Sequence, residues 1–394
     1  MSSILSPMRL VGAQVLRDGA LQNRSVAIAG GRITRGPLPE VNLSGYLVLP
    51  GIVDLHGDAF ERHLLPRPGA DFDRTRGLLS AAREAAANGV TTAWCAQGWS
   101  WEGAHRGPDA AEAMLAAHAA LRPGFINDIR IQLRVETHLV DEADRLVEAV
   151  RRWQIDYVIF NDHLGEGVQM LETRPGDFAV WARGLRRPAE ELAGALRAAA
   201  SRAAEVPRHL CRLAEAFDAL GVAYGSHDDP DGETRERFSM IGARIAEFPT
   251  SRGAAAAAKA MGAPVLMGAP NVVRGRSASG NVAARALVAE GLCDALVSDY
   301  YYPALPQAAF ALGDQGLTDL PRAWAMISSK PAEILGLHDR GRIEPGLRAD
   351  LVIVNAASRE IEATIAGGCV AYLAGEAAHR FLSGPQPALR LAAE

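Results

Sequence analysis

The sequence predicts an α/β chain: a (β/α)8 TIM-like barrel with a small β-sandwich domain formed by both termini. Two observations carry this. Eight apolar runs recur between residues 47 and 301, each followed by a polar or glycine turn and then an Ala-, Leu- and Arg-rich helical stretch. Both chain ends instead consist of short β-like segments. An open, doubly wound sheet is the alternative, but it would carry a GxGxxG turn after its first strand, and none follows here.

In chain order, residues 8–15 and 25–29 are apolar and strand-like, with Gly30-Gly31 as a hairpin signal. The barrel runs follow as LVLPGIVDLH (47–56), VTTAWCA (90–96), IRIQLRVE (129–136), DYVIFND (156–162), VAYGSHD (222–228), RIAEFP (244–249), PVLMGAP (264–270) and ALVSDYY (295–301). The long connection 164–226 holds an amphipathic stretch at 188–220, read as two surface helices, a lid or an oligomer contact. The chain then returns to strands in ADLVIVN (349–355) and CVAYL (369–373). The expected division is a small β domain from 1–48 and 340–394 and a barrel over 49–339.

Composition narrows the chemistry. With 48% hydrophobic and 22% charged residues, the 394-residue chain has the make-up of a soluble globular protein. A net charge of −5 gives no global basic field for nucleic acid. Of 41 basic residues only Lys259 and Lys330 are lysine. No glycine-rich loop is followed by lysine, so a P-loop is absent, and neither lysine ends a barrel run. No signal-peptide pattern and no run of ~18 apolar residues is present, so a cytoplasmic location without membrane contact is expected. Cys95, Cys211, Cys293 and Cys369 share no CxxC spacing and read as buried thiols.

Catalytic groups of such barrels stand at the C-terminal ends of the strands. The runs end in His56-Gly-Asp58, Glu136, Asp162-His163, Ser226-His227 and Ser298-Asp299. Residues i and i+2 of a strand face one way, so His56 and Asp58 can meet one ion. Imidazoles and carboxylates from five strand ends, His56, Asp58, Glu136, His163, His227 and Asp299, form a mixed N/O set suited to Zn, Mn, Fe or Co. His105 and His138 are weaker candidates for lining the site.

LPGIVDLHGD (49–58) and RGRIEPGLRADLVIVN (340–355) resemble segments of the amidohydrolase superfamily. LHGDAFERHLLPRPG (55–69), the segment 245–281 and SDYYYPALPQAAF (298–310) resemble a narrower branch, the PhnM family of alpha-D-ribose 1-methylphosphonate 5-triphosphate diphosphatases. The resemblance implies hydrolysis of the 5-triphosphate to the 5-phosphate and pyrophosphate, in phosphonate catabolism that feeds carbon–phosphorus lyase. It implies one or two divalent ions (Zn, Mn or Fe), a homodimer, and Asp299 as the catalytic acceptor of the water proton. Asp58 stands where the superfamily has a second histidine, and Glu136 where it has a carboxylated lysine, as is usual in this branch. The superfamily places its paired histidines on strands five and six, whereas the runs put His163 and His227 on four and five.

A triphosphate needs positive charge around its outer phosphates. Arg62, His63 and Arg67 in the first βα loop, and Asn271, Arg274, Arg276 and Ser277 after the seventh strand, are the candidates; Arg-rich surface loops are the plainer alternative. The branch has a histidine where this chain has Ala278, which points to one changed phosphate contact. Two other functions stay open: an amidohydrolase acting on a C–N bond (deacetylase, cyclic amidase or deaminase), and a non-catalytic barrel acting as scaffold or binding subunit.

Overall fold

The computed structural model describes residues 4–67, 70–277 and 280–383. All eight apolar runs form strands of one parallel sheet: Ile52–Gly57, Val90–Trp99, Asp128–Glu136, Tyr157–Asn161, Ala223–His227, Ile245–Glu247, Val265–Gly268 and Ala295–Val297. They are hydrogen-bonded in chain order. The first and eighth meet through a Gly57–Asp299 bridge, and the Asp299 amide donates to the His56 carbonyl at 3.0 Å. Asp54 seals the same seam by accepting from the Ser298 amide at 2.9 Å and its hydroxyl at 2.6 Å. Val53, Leu55, Trp94, Tyr157, Ile159, Ile245, Leu266 and Val297 are packed together between these strands.

The first run divides at Gly51. Tyr46–Pro50 pairs antiparallel with Leu351–Asn355 in the small domain, and only Ile52–Gly57 enters the barrel. A Cβ on Gly51 would lie 2.4 Å from the Thr91 hydroxyl and 2.9 Å from Asp350 Cβ, so the crossing requires glycine.

A four-stranded and a six-stranded sheet make up the small domain, with strands from both chain ends. Strand alternation explains why its central strands are apolar throughout. Tyr46, Val48, Leu351 and Ile353 pack into the core between the sheets. Leu47, Leu49, Val352 and Val354 pack the other way, into the core shared with the barrel helices. Both faces are buried, so no polar alternation survives.

The 164–226 connection forms four helices, Leu164–Thr173, Pro175–Gly184, Ala189–Ser201 and Val206–Leu220. The first three share a separate core of Leu164, Phe178, Leu192 and Leu196 against Trp101. The fourth is a barrel helix, with Leu213 and Phe217 in the main core. Its outer face leaves Cys211 exposed, which corrects the expectation that all four thiols are buried. Among the described residues no helix is long and apolar enough to cross a membrane.

At the opposite end of the barrel, Asp128 Oδ2 accepts from Arg130 Nη2 and Arg340 Nη1, both at 2.8 Å. Burial works to raise the Asp128 carboxyl, but the two arginines outweigh it and hold it down at about 2. A carboxyl lowered on folding stabilises the native state above its unfolded value near 4 and loses that contribution as pH falls through about 2. The expected contribution at pH 7 is about 2 kcal/mol. Chemical denaturation should show Asp128→Asn less stable by that amount at pH 7, with the gap narrowing below pH 4. Equal stability at pH 7 would refute the assignment.

Candidate metal centre

His56 is the penultimate residue of the first strand, and Asp58 follows its last, Gly57. Both line one cavity of about 320 Å³ at the barrel mouth, together with His163, His227 and Asp299. The His56 and His227 ring centroids are 5.3 Å apart, and His163 and His227 6.5 Å. Glu136 is not in the cavity wall. It is buried behind it, with Oε1 2.5 Å from His163 Nδ1 and Oε2 accepting from Trp101 Nε1 at 3.1 Å. His163 follows the fourth strand and His227 ends the fifth, in the order the runs imply.

Asp228, Phe248 and Asp299, which follow the fifth, sixth and eighth strands, have φ of +58°, +50° and +56°. Left-handed backbone at three strand ends is strain of the kind that collects at functional sites. Burial, with Asp58 nearby, pushes the Asp299 carboxyl up to about 6. Burial lowers His227, favouring the neutral imidazole that metal ligation needs. Its Nδ1 lies 2.9 Å from Asp228, though not in hydrogen-bonding alignment. Burial works to raise Asp228, but the His227 ring beside it, together with Arg134 and His163, outweighs burial and holds the carboxyl down at about 2.

Glu247 ends the sixth strand and was not singled out by sequence. It is fully buried, and among the described residues His56, His227 and Glu247 have ligand atoms within 4.8 Å of one another. Its oxygens are nonetheless occupied. Oε1 accepts from Gln132 Nε2 at 2.8 Å and the Tyr157 hydroxyl at 2.6 Å, and Oε2 lies 2.7 Å from His56 Nδ1. Glu247 therefore orients His56, keeping the proton on Nδ1 and turning Nε2 to the cavity. That nitrogen, His227, Asp58 and Asp299 border the same cavity, and imidazole and carboxylate are donor types that a divalent ion takes.

Arg274, Arg276, Asn271 and Ser277 line the same cavity. Asn271 Oδ1 accepts from the Ala284 amide at 3.0 Å, and Arg274 Nη1 donates to the Tyr300 hydroxyl at 3.3 Å. Arg62 donates to the Tyr300 carbonyl at 2.7 Å and pairs with Glu84, which also holds His63 Nε2 at 2.7 Å. Arg62 lines an adjoining cavity that shares Asp58, Arg106 and Tyr300 with the first. Arg67 is exposed and bridges Ala70. Ala278 lies outside the described residues.

Two more arginines border the cavity, Arg134 and Arg106. Arg134 precedes Glu136 by two residues on the third strand, a same-face signal that the sequence contained. Arg106 pairs with Glu61 at 3.3 Å and Glu102 at 3.7 Å. The helical insertion reaches this loop: Trp181 Nε1 donates to Glu102 Oε1 at 3.1 Å, and Trp181 and Arg174 line a neighbouring cavity with Arg106 and His163.

A parallel eight-stranded barrel with a β-sandwich and imidazoles and carboxylates at its strand ends defines a class. The chain belongs to the amidohydrolase family, whose model matches residues 71–372. It is 32% identical over 373 residues, covering 91% of this chain and 96% of the relative, to alpha-D-ribose 1-methylphosphonate 5-triphosphate diphosphatase of Escherichia coli (strain K12). The fold is also similar to N-acetylglucosamine-6-phosphate deacetylase from Pasteurella multocida, with a TM-score of 0.61 at 11% identity over 92% of this chain and 99% of that one. Beta-aspartyl dipeptidase from Fervidobacterium islandicum AW-1 gives a TM-score of 0.60 at 13% identity over 94% and 97%.

Proposed function

We propose that this protein hydrolyses alpha-D-ribose 1-methylphosphonate 5-triphosphate to the 5-phosphate and pyrophosphate, in phosphonate catabolism. The observation that carries this is the near-full-length match to the Escherichia coli diphosphatase. The cavity suits the assignment, because its imidazole and carboxylate floor is bordered by Arg134, Arg274 and Arg276. A neutral amide would have no use for that charge. A C–N hydrolase would instead turn over N-acetyl sugars, cyclic amides or purines, and a scaffold would need no intact donor set.

His56, Asp58, His163, His227 and Asp299 would hold one or two divalent ions, with Glu136 behind His163; Zn, Mn and Fe all match these ligands. A divalent ion there supplies Lewis-acid polarisation of a phosphoryl oxygen and an acidified water. The chain does the rest. Asp299 takes the proton of the attacking water at its carboxylate. Arg274, Arg276, Asn271 and Ser277 hold the outer phosphates, with Arg62, His63 and Arg67 at the rim. We further assign the enzyme to the cytoplasm and to a homodimer.

Protein loaded with Mn, Zn or Fe should release pyrophosphate from this substrate. Dialysis against a chelator should abolish release, and metal should restore it. No release with any of the three ions would sink the proposal.

A further inference from the structure

We propose that Arg134 is a further catalytic residue, gripping the phosphoryl group under attack. This rests on the function proposed above. The Arg134 side chain is 15% exposed and lines the cavity that His56, Asp58, His163, His227 and Asp299 share.

Its bonding is unlike that of the structural arginines. Arg235 is fully buried and spent on the Ser226 hydroxyl, the Ile245 and Ala243 carbonyls and Asp229. Arg340 is held by Thr92, Asp128 and Asp339. Arg134, by contrast, has a neutral anchor. With the Asn161 amide turned to present its oxygen, Nη2 and Nε donate to it at 2.9 and 3.3 Å. Among the described residues the nearest carboxylate oxygen is Asp58 Oδ2, at 3.9 Å from Nη1. One edge of the guanidinium is thus fixed, and Nη1 is left on the side of the candidate metal ligands.

Arg134 is a largely buried cation whose only ion pair among the described residues is the long one to Asp58, a carboxylate that is itself a candidate metal ligand, so Nη1 keeps room for an incoming anion. The anion this site would receive is a phosphoryl group. A fixed guanidinium fork matches its oxygens, and negative charge spreads over them in the transition state. Arg274 and Arg276 differ in being exposed. Water screens them, so they bind substrate and transition state alike, whereas Arg134 acts where charge develops.

The test uses the metal-loaded full chain with Arg134→Ala, Arg134→Lys and Arg274→Ala. The Ala variant at 134 should lose about 10²–10³ in kcat with metal content unchanged. Lys should recover only part of this, and guanidinium ion should partly rescue Arg134→Ala. Arg274→Ala should chiefly raise KM and gain nothing from guanidinium. Orthovanadate binding, followed by calorimetry, reads the same contact without turnover and should weaken at least tenfold in Arg134→Ala. If the wild type turns over no substrate yet this weakening is seen, the substrate assignment fails and the contact stands. Unchanged vanadate affinity, an unchanged kcat, or loss of metal from Arg134→Ala would overturn the proposal.

Discussion

Replacing Asp299 by asparagine should lower kcat for pyrophosphate release about 10³-fold or more, with the fold intact. Asparagine isolates the carboxylate for two reasons. Asp299 has φ of +56°, a conformation that Asn tolerates nearly as well as Asp but that strains alanine. Its backbone closes the barrel, donating to the His56 carbonyl at 3.0 Å and accepting from the Asp58 amide at 2.8 Å, and neither bond involves the side chain. What the substitution removes is a carboxylate whose proton affinity burial and Asp58 have raised to about 6, close to the working range of a general base. Steady-state kinetics with elemental analysis of the same samples decides the matter. A variant that keeps its metal and more than a tenth of wild-type kcat would remove Asp299 from proton transfer. A variant that loses its metal would make the carboxylate chiefly a ligand.

The barrel was legible in the sequence because each strand is a short apolar run closed by a polar turn. The polar residues at those run ends mark the mouth wherever the run itself is apolar. His56, Asp58, His163, His227 and Asp299 therefore come together as their spacing implies. Glu247 closes the run RIAEFP but could not be interpreted there. Its partners His56, Gln132 and Tyr157 come from three other strands, 90 to 191 residues away. Glu136 carried the right residue type, yet which of its neighbours it would hold depends on the side chains of Trp101 and His163.

Cations were harder to place than ligands. Arg62 and His63 look free in the first loop, but Glu84, one helix later, pairs with both. Arg134 sits inside an apolar strand, where a charge is easily taken for an outward-facing residue, although its i, i+2 spacing from Glu136 puts it on the inward face that lines the cavity. The insertion's amphipathic pattern announces helices, whereas its docking onto Trp101 depends on a tertiary core that no local pattern encodes.

Glu247 offers the second large effect, expressed in stability and metal affinity together. Glu247→Leu leaves three buried donors, Gln132 Nε2, the Tyr157 hydroxyl and His56 Nδ1, without their acceptor. Stranding buried donors costs about 1–3 kcal/mol each, so a loss of roughly 3–5 kcal/mol is expected, allowing for relaxation. Glu247→Gln keeps the volume but must turn an NH2 toward at least one of those donors, and it removes the charge that favours a proton on His56 Nδ1. Its signature should be metal affinity, weakened about 10–100-fold, with a smaller loss of stability. Denaturation of the metal-free protein measures the first term, and competition with a chromogenic chelator measures the second. If Glu247 were itself a ligand, Glu247→Asp would retain more metal than Glu247→Gln. If it orients His56, Asp is too short to span Gln132, Tyr157 and His56 at once, and Asp should fare no better than Gln. The ordering of those two variants in metal affinity separates a carboxylate that binds the ion from one that aims the imidazole.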